Sequence, residues 1–174
     1  SVTNLGTLDV TQIGGLTSTQ LGGLSATKLS ALDATQVGAL TTTQVGGLTT
    51  TQLSGLNATD MGEFLDTQLG ALTSTQLRSI SSTNLSALES TQVDTLTSTQ
   101  IGALTTTQVS GLTATDIGEL AATQLGSLTS TQIGALNATA FSALDATTVA
   151  ALTTTQVRGV TATQIAGLST TDIT

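Results

Sequence analysis

The stretch Leu40-Thr41-Thr42-Thr43-Gln44-Val45-Gly46-Gly47 recurs, with small changes, every eight residues along the whole chain. Its fourth residue, threonine, stands at Thr3, Thr11, Thr19 and so on to Thr155, Thr163 and Thr171, without an insertion or deletion. A strict short period means a solenoid or fibre-like array, because so small a unit cannot bury its apolar face alone. Twenty full octads run from Leu8 to Gly167, with a seven-residue partial octad at each end, so residues 1–174 read as one array. Neither end carries an atypical octad, and the chain starts at Ser1; the expectation is a processed protein or a piece of a longer array.

Octads are numbered here from their leucine. Position 1 is Leu, with Phe64, Ile80 and Val160 as variants. Position 6 is Leu, Ile or Val, with Met61 and Phe141 as exceptions. Position 2 is nearly always Thr, Ser, Asp or Asn, and position 5 is mostly Gln. Positions 3, 7 and 8 are small. Positions 2 and 5 match a capping box, in which the N-cap side chain bonds the third helical residue and Gln reaches back to the cap's own N–H. Positions 1 and 6 match the hydrophobic staple around such a start. The octad therefore reads as a helix begun at positions 2 and 3 and abandoned a turn later. Gly at positions 7 and 8, as in Gly46 and Gly47, reads as a stop, because glycine tolerates the left-handed conformation of helix ends.

A continuous helix fails on geometry. Eight residues advance about 800°, so the apolar pair would precess about 80° per octad and form no face. A β-solenoid is the alternative, since Thr at positions 2 and 4 suits a strand. Against it, positions 1 and 6 are five apart and fall on opposite faces of a strand. The expected fold is thus an all-α solenoid or superhelix of one-turn α or 3-10 helices, one per octad. Positions 1 and 6 should form a continuous buried spine, widened locally at Phe64 and Phe141. The fixed threonine at position 4 has two readings: a hydroxyl bond within each turn with methyl packing, which we expect, or a ladder on an exposed face.

A second period lies over the first. Leu56-Asn-Ala-Thr-Asp-Met-Gly-Glu63 and Leu112-Thr-Ala-Thr-Asp-Ile-Gly-Glu119 stand 56 residues apart, and Asp172 follows Asp116 by another 56. Lys28, Asn84 and Ala140 replace the capping Gln at that spacing, and Asp33, Glu89 and Asp145 follow in the next octads. The chain is about three copies of a seven-octad super-repeat. This records duplication, or else seven octads close a whole number of superhelical turns, which would align Asp60, Asp116 and Asp172 in one stripe and Asp33, Glu89 and Asp145 in another.

Composition narrows function. Net charge is −8, and Lys28, Arg78 and Arg158 are the only cations. That argues against nucleic-acid backbones and anionic membranes. No apolar run approaches the length of a membrane span, so no membrane insertion is expected. Without His or Cys, the common nucleophile–base pairs, disulfides and thiolate sites are absent. No glycine pattern opens a nucleotide fold, and no cofactor is expected. Asp60 with Glu63, and Asp116 with Glu119, could share Ca²⁺ with backbone oxygens. They could equally be helix-start acids favoured by the dipole, the reading we prefer because nothing like an EF-hand loop surrounds them. Asn57-Ala-Thr59, Asn84-Leu-Ser86 and Asn137-Ala-Thr139 match the N-glycosylation triplet and are read as chance in a Thr-rich repeat.

Octads of the form Leu-Thr-Thr-Thr-Gln-Val-Gly-Ala resemble repeat tracts of very long bacterial surface and secreted proteins, often adhesin-like. The resemblance implies a structural role at the cell surface or outside the cell. Leu104-Thr-Thr-Thr-Gln-Val109 is also similar to the opening of a TAL-effector repeat, but the proline, second helix and base-reading loop are missing, so DNA reading is not implied. The functional expectation is a non-enzymatic rod or filament segment that self-associates into a fibre or longer array. The alternative is an ice- or glycan-binding solenoid that uses a regular Thr ladder.

Overall fold

The computed structural model describes residues 5–168. Among them are twenty complete α-helices of four to six residues, one per octad, and no strand. Each begins at position 3 and has position 2 as its N-cap, as the capping box requires. The caps are extended, with φ between −62 and −105 and ψ between 153 and 179. In the octad that starts at Leu40, the Thr41 hydroxyl accepts the Gln44 N–H at 3.2 Å, and Gln44 Oε1 accepts the Thr41 N–H at 2.7 Å. The Leu48 N–H then bonds the Val45 carbonyl and closes the unit.

Contacts divide the chain into two compact units, Ser1–Thr95 and Leu96–Thr174. Each is a solenoid of these one-turn helices. In the first unit, α1 (Val10–Gly14) packs on α4 (Ala34–Gly38), α2 (Ser18–Gly22) on α5 (Thr42–Gly46), and α3 (Ala26–Leu29) on α6 (Thr50–Ser54). The same step of three helices joins Thr106–Ser110 to Ser130–Ala135, and Ala138–Ser142 to Ala162–Ala166, in the second.

Positions 1 and 6 form the core of each unit. From Ile13 to Leu144 nearly all are buried, Val45 and Leu53 completely, and Phe64 and Phe141 among them. The exceptions lie near the ends. Leu8, Leu16 and Leu24 are half-buried, as are Val149, Leu152, Val160 and Leu168, while Val157 and Ile165 are exposed.

The glycines serve a different purpose from the one expected. No described glycine has a positive φ, and the C-caps at Gly47 and Gly55 are right-handed, with φ −88 and −92. What they permit is close approach between turns. A Cβ on Gly47 would stand 2.5 Å from Ser18 Cβ, and one on Gly55 would stand 2.5 Å from Ala26 Cβ. Both are position-8 glycines over position 3 of an earlier turn. Position 7 is mixed: Gly38, Gly46 and Gly62 have open space, whereas a Cβ on Gly102 would stand 2.9 Å from the Ser127 carbonyl oxygen.

Two adjacent glycines should therefore respond in opposite senses. Gly46→Ala adds a better helix former where nothing obstructs it and should stabilise by about 0.5–1 kcal/mol. Gly47→Ala forces Ser18 and its turn outward and should destabilise by about 1–3 kcal/mol. Urea midpoints of the two variants provide the check.

Candidate functional site

The side chain repeated at the heart of the structure is the position-5 glutamine. Its reach back to the cap satisfies Oε1 and leaves the Nε2 amide free to act elsewhere. In the folded chain that amide points into the preceding turn. Gln44 Nε2 donates to the Leu16 carbonyl at 2.7 Å, with Ile13 and Gly14 carbonyls at 3.0 and 3.3 Å. Gln76 Nε2 donates likewise to Leu48 at 2.8 Å, and Gln52 to Leu24 at 2.9 Å. In the second unit Gln124, Gln132, Gln156 and Gln164 reach Leu96, Leu104, Leu128 and Leu136 at 2.7–2.8 Å. The offset to the position-1 carbonyl is 28 residues in every case. These glutamines are buried, Gln52 to 2 % and Gln164 to 1 % exposure. Sequence reasoning found the local half of this bond and missed the half that joins turns. The signal that could have found it was the amide: a capping box is equally served by Glu, yet no octad has Glu at position 5.

Departures from Gln confirm what the site needs. Asn84, in one of the glycosylation-like triplets, is buried and donates Nδ2 to the Leu56 carbonyl at 2.7 Å, so it is unavailable to a glycan. Where Ala140 stands, the neighbouring cap Asn137 supplies the amide to Leu112 at 2.8 Å. Thr148 is too short to span the gap to Leu120, and a cavity of about 80 Å³ lies there, lined by Leu120, Leu125 and Leu144.

The four acids considered for Ca²⁺ fall into this scheme. Asp60 Oδ2 accepts the Asn57 N–H at 2.9 Å, and Asp116 Oδ2 accepts the Thr113 N–H at 2.7 Å. Both keep the local half of the glutamine's work and, as carboxylates, cannot donate to the turn before. Glu63 is half-buried; burial, then Asp60, then Asp33, hold its carboxyl above the ordinary range. Asp33 from the second acid set thus lies near enough to Glu63 for its charge to act on it. Glu119 is half-buried on its own helix end. Asp145 caps its helix through a 2.6 Å bond from the Thr148 N–H, which holds its carboxyl below the usual value. Asp172 lies outside the described residues, and Asp60 and Asp116 lie in different units. Among the described residues no group of three or more Asp, Glu, His or Cys is placed to hold a metal ion.

The position-4 threonine corrects an expectation. It is exposed in every described octad, and hydroxyl bonds within the turns are made by position 2 instead. Thr91 Oγ1 makes one weak contact, with Asp66 at 3.5 Å. Helices stacked three apart bring Thr19, Thr43, Thr67 and Thr91 into one row on the outside of the first unit. No described helix is long and apolar enough to cross a membrane.

With this register in place, comparison with known families gives one match. Residues 18–50 match the ALTTAQ repeat. The chain is an octapeptide-repeat protein, and Ala39-Leu40-Thr41-Thr42-Thr43-Gln44 departs from the six letters of that name at a single place. No curated protein and no solved structure shows a significant match.

Two outcomes follow for the octapeptide repeat's glutamine. Gln76→Ala strands the Thr73 N–H and the buried Leu48 carbonyl, at a cost of about 2–4 kcal/mol. Thr148→Gln restores an absent donor beside an existing cavity and should stabilise by about 1 kcal/mol. Chemical denaturation measures both, and a neutral Gln76→Ala would sink the inter-turn role.

Glu63 supplies a pH test. Its folded pKa is raised, so its favourable contribution is present below the ordinary carboxylate value of 4.5 and lost as pH rises through the folded value. Glu63→Gln removes that loss. The variant should melt above the parent at neutral pH and together with it in acid, as thermal scans across pH would show.

Proposed function

We propose that this octapeptide-repeat chain is a structural segment of an extracellular or cell-surface fibre, without catalysis, whose purpose is to span distance and to self-associate. The observation that carries this reading is the division of labour within the octad. The buried amide, the paired aliphatics and the close-approach glycines all serve to join one turn to the next. The outside repeats the same short hydroxyl side chains turn after turn, and few cations are present to hold a phosphate backbone. A unit built this way extends by addition of further octads at nearly constant cost, as nearest-neighbour arrays do.

The test is scattering. Duplicating residues 56–111 adds one super-repeat in register. A rod lengthens in proportion, so its overall dimension should grow by about a third, whereas a compact domain obeying the usual size law would grow by about a tenth. Growth of the second kind would refute the spacer reading.

The exposed threonines favour a second reading, a Thr-lined face that binds ice or glycan. Their hydroxyls and methyls remain available on a regular row such as Thr19, Thr43, Thr67 and Thr91. Replacing Thr43 and Thr67 with lysine should leave stability unchanged and abolish retention on ice or on a glycan array if that face binds; unchanged retention, or none in the parent chain, would reject it.

A further inference from the structure

One join in the second unit lacks the amide that closes the others. Thr148 stands at position 5, where Gln132 before it and Gln156 after it reach the Leu104 and Leu128 carbonyls at 2.7 and 2.8 Å. Each of those amides has two duties. Its oxygen accepts the cap N–H of its own octad, from Thr129 or Thr153, and its nitrogen donates to the carbonyl 28 residues earlier. Other departures from glutamine keep one duty or hand it to a neighbour. Asp60 and Asp116 accept the cap N–H, and Asn84 and Asn137 donate to Leu56 and Leu112. Beside Thr148 neither duty is done: neither the Asp145 N–H nor the Leu120 carbonyl is bonded to another described residue. The gap is set by residue 148, because the joins beyond it are closed, Gln156 onto Leu128 and Gln164 onto Leu136 at 2.8 Å each.

Space accompanies the missing bonds. A cavity of about 80 Å³ is lined by Leu120, Leu125, Leu144, Asp145 and Thr148. A second, of about 110 Å³, is lined by Ala122, Leu125, Gly126, Thr148 and Ala151, so Leu125 and Thr148 border both. Leu120, Leu125 and Leu144 are buried and give aliphatic walls, while Asp145 and Ala151 are exposed and leave the space open to solvent. For scale, an apolar cavity of about 150 Å³ holds a benzene molecule.

We infer that this space binds a small neutral molecule carrying a primary carboxamide on a short aliphatic stem, the chemistry of the glutamine side chain that neighbouring octads bury at the same place. Its N–H₂ donates to the Leu120 carbonyl, its oxygen accepts the Asp145 N–H, and its stem lies against Leu125 and Leu144. Selection follows from the inventory of donors and acceptors. A ketone of the same shape accepts from Asp145 and has nothing to give Leu120. A carboxylate has no donor either, and it meets the Asp145 carboxylate, which the Thr148 N–H holds below its ordinary pKa and therefore charged at neutral pH. Occupancy completes the join between two turns, so the ligand stabilises the fold as it binds. The site goes beyond the fibre reading and does not rest on it.

The experiment is saturation-transfer NMR on the full 174-residue chain with three ligands. Propionamide is the free equivalent of the glutamine side chain, butanone matches its shape without an N–H, and propionate carries the charge. Propionamide should bind saturably with a Kd on the order of 1 mM. Butanone and propionate should bind at least about tenfold more weakly, the effect of one lost hydrogen bond. Thr148→Gln fills the space with the chain's own amide and should weaken propionamide at least about tenfold, with circular dichroism to check that the variant is folded. No saturable binding of propionamide to the parent, equal binding of butanone, or unchanged binding to the folded variant would overturn the inference. The three-ligand comparison uses the parent alone and decides the matter even where the variant does not fold. None of these outcomes alters how scattering grows with added octads, so the spacer reading stands or falls separately.

Discussion

A buried primary amide governs this structure. The position-5 glutamine accepts from its own helix cap with one atom and donates to the preceding turn with another, so the local fold and the join between turns depend on one side chain. Burying an amide costs several kcal/mol unless its polar atoms are paired. Here the pairing is complete: no buried side-chain nitrogen or oxygen among the described residues lacks a partner. Removing the glutamine would expose the same debt twice, once at the cap and once at the carbonyl below. Aliphatic packing supplies the general driving force for burial, but it is non-directional. The amide fixes which turn sits on which, and with what offset.

That offset fixes how the octads of one turn register on those of another. Twenty-eight residues are three and a half octads, so the step carries position 5 onto position 1 and never onto its own kind. Two steps, 56 residues, return to the same position. The series Leu8, Gln36, Phe64 and Gln92 in the first unit shows the alternation, with Gln36 bonded to Leu8 at 2.7 Å and Gln92 to Phe64 at 2.8 Å. Because every octad carries both position 1 and position 5, adding any whole number of octads keeps this pairing, as Gln44 to Leu16 and Gln52 to Leu24 show one octad apart.

Much of the fold was legible in the sequence, and what was not has a common physical origin. Helix starts at Asp9, Thr41 or Thr129 are announced by residues within four positions of one another, and local hydrogen bonds made them readable. The aliphatic spine was readable for the same reason. The donors of Gln44 and Gln76 act over 28 residues, and no local pattern announces a partner that distant. Glycine shows the same limit: Gly47 reads locally as a helix stop, but its constraint comes from Ser18 in an earlier turn. Threonine at position 4 suits a hydroxyl bond within its own turn equally well on local grounds. Only the tertiary arrangement shows that position 2 caps and position 4 faces outward. As for a site, the sequence offered two carboxylate pairs, and the fold absorbs Asp60 and Asp116 into helix capping.

The coupling also gives the array a direction. Each turn depends on carbonyls placed by the turn before it, while its own carbonyls wait for the turn after. A local helix start can form on its own capping bonds, but its glutamine becomes fully satisfied only when an earlier turn is already in place. Stability then resides mainly in joins between neighbours rather than in the units joined, the regime of nearest-neighbour repeat proteins. In that regime a defect such as Thr148, which forfeits one amide and leaves a cavity, weakens one join and leaves the others intact. Substitutions inside the array must respect three partners at once: the cap, the carbonyl below and the close-packed backbone. Substitutions at position 4 meet few such demands, because that side chain is exposed in every described octad. Any macromolecular partner other than another copy must therefore be recognised by the outer face, and the constancy of threonine there, where folding does not demand it, is the feature that folding alone leaves without a cause.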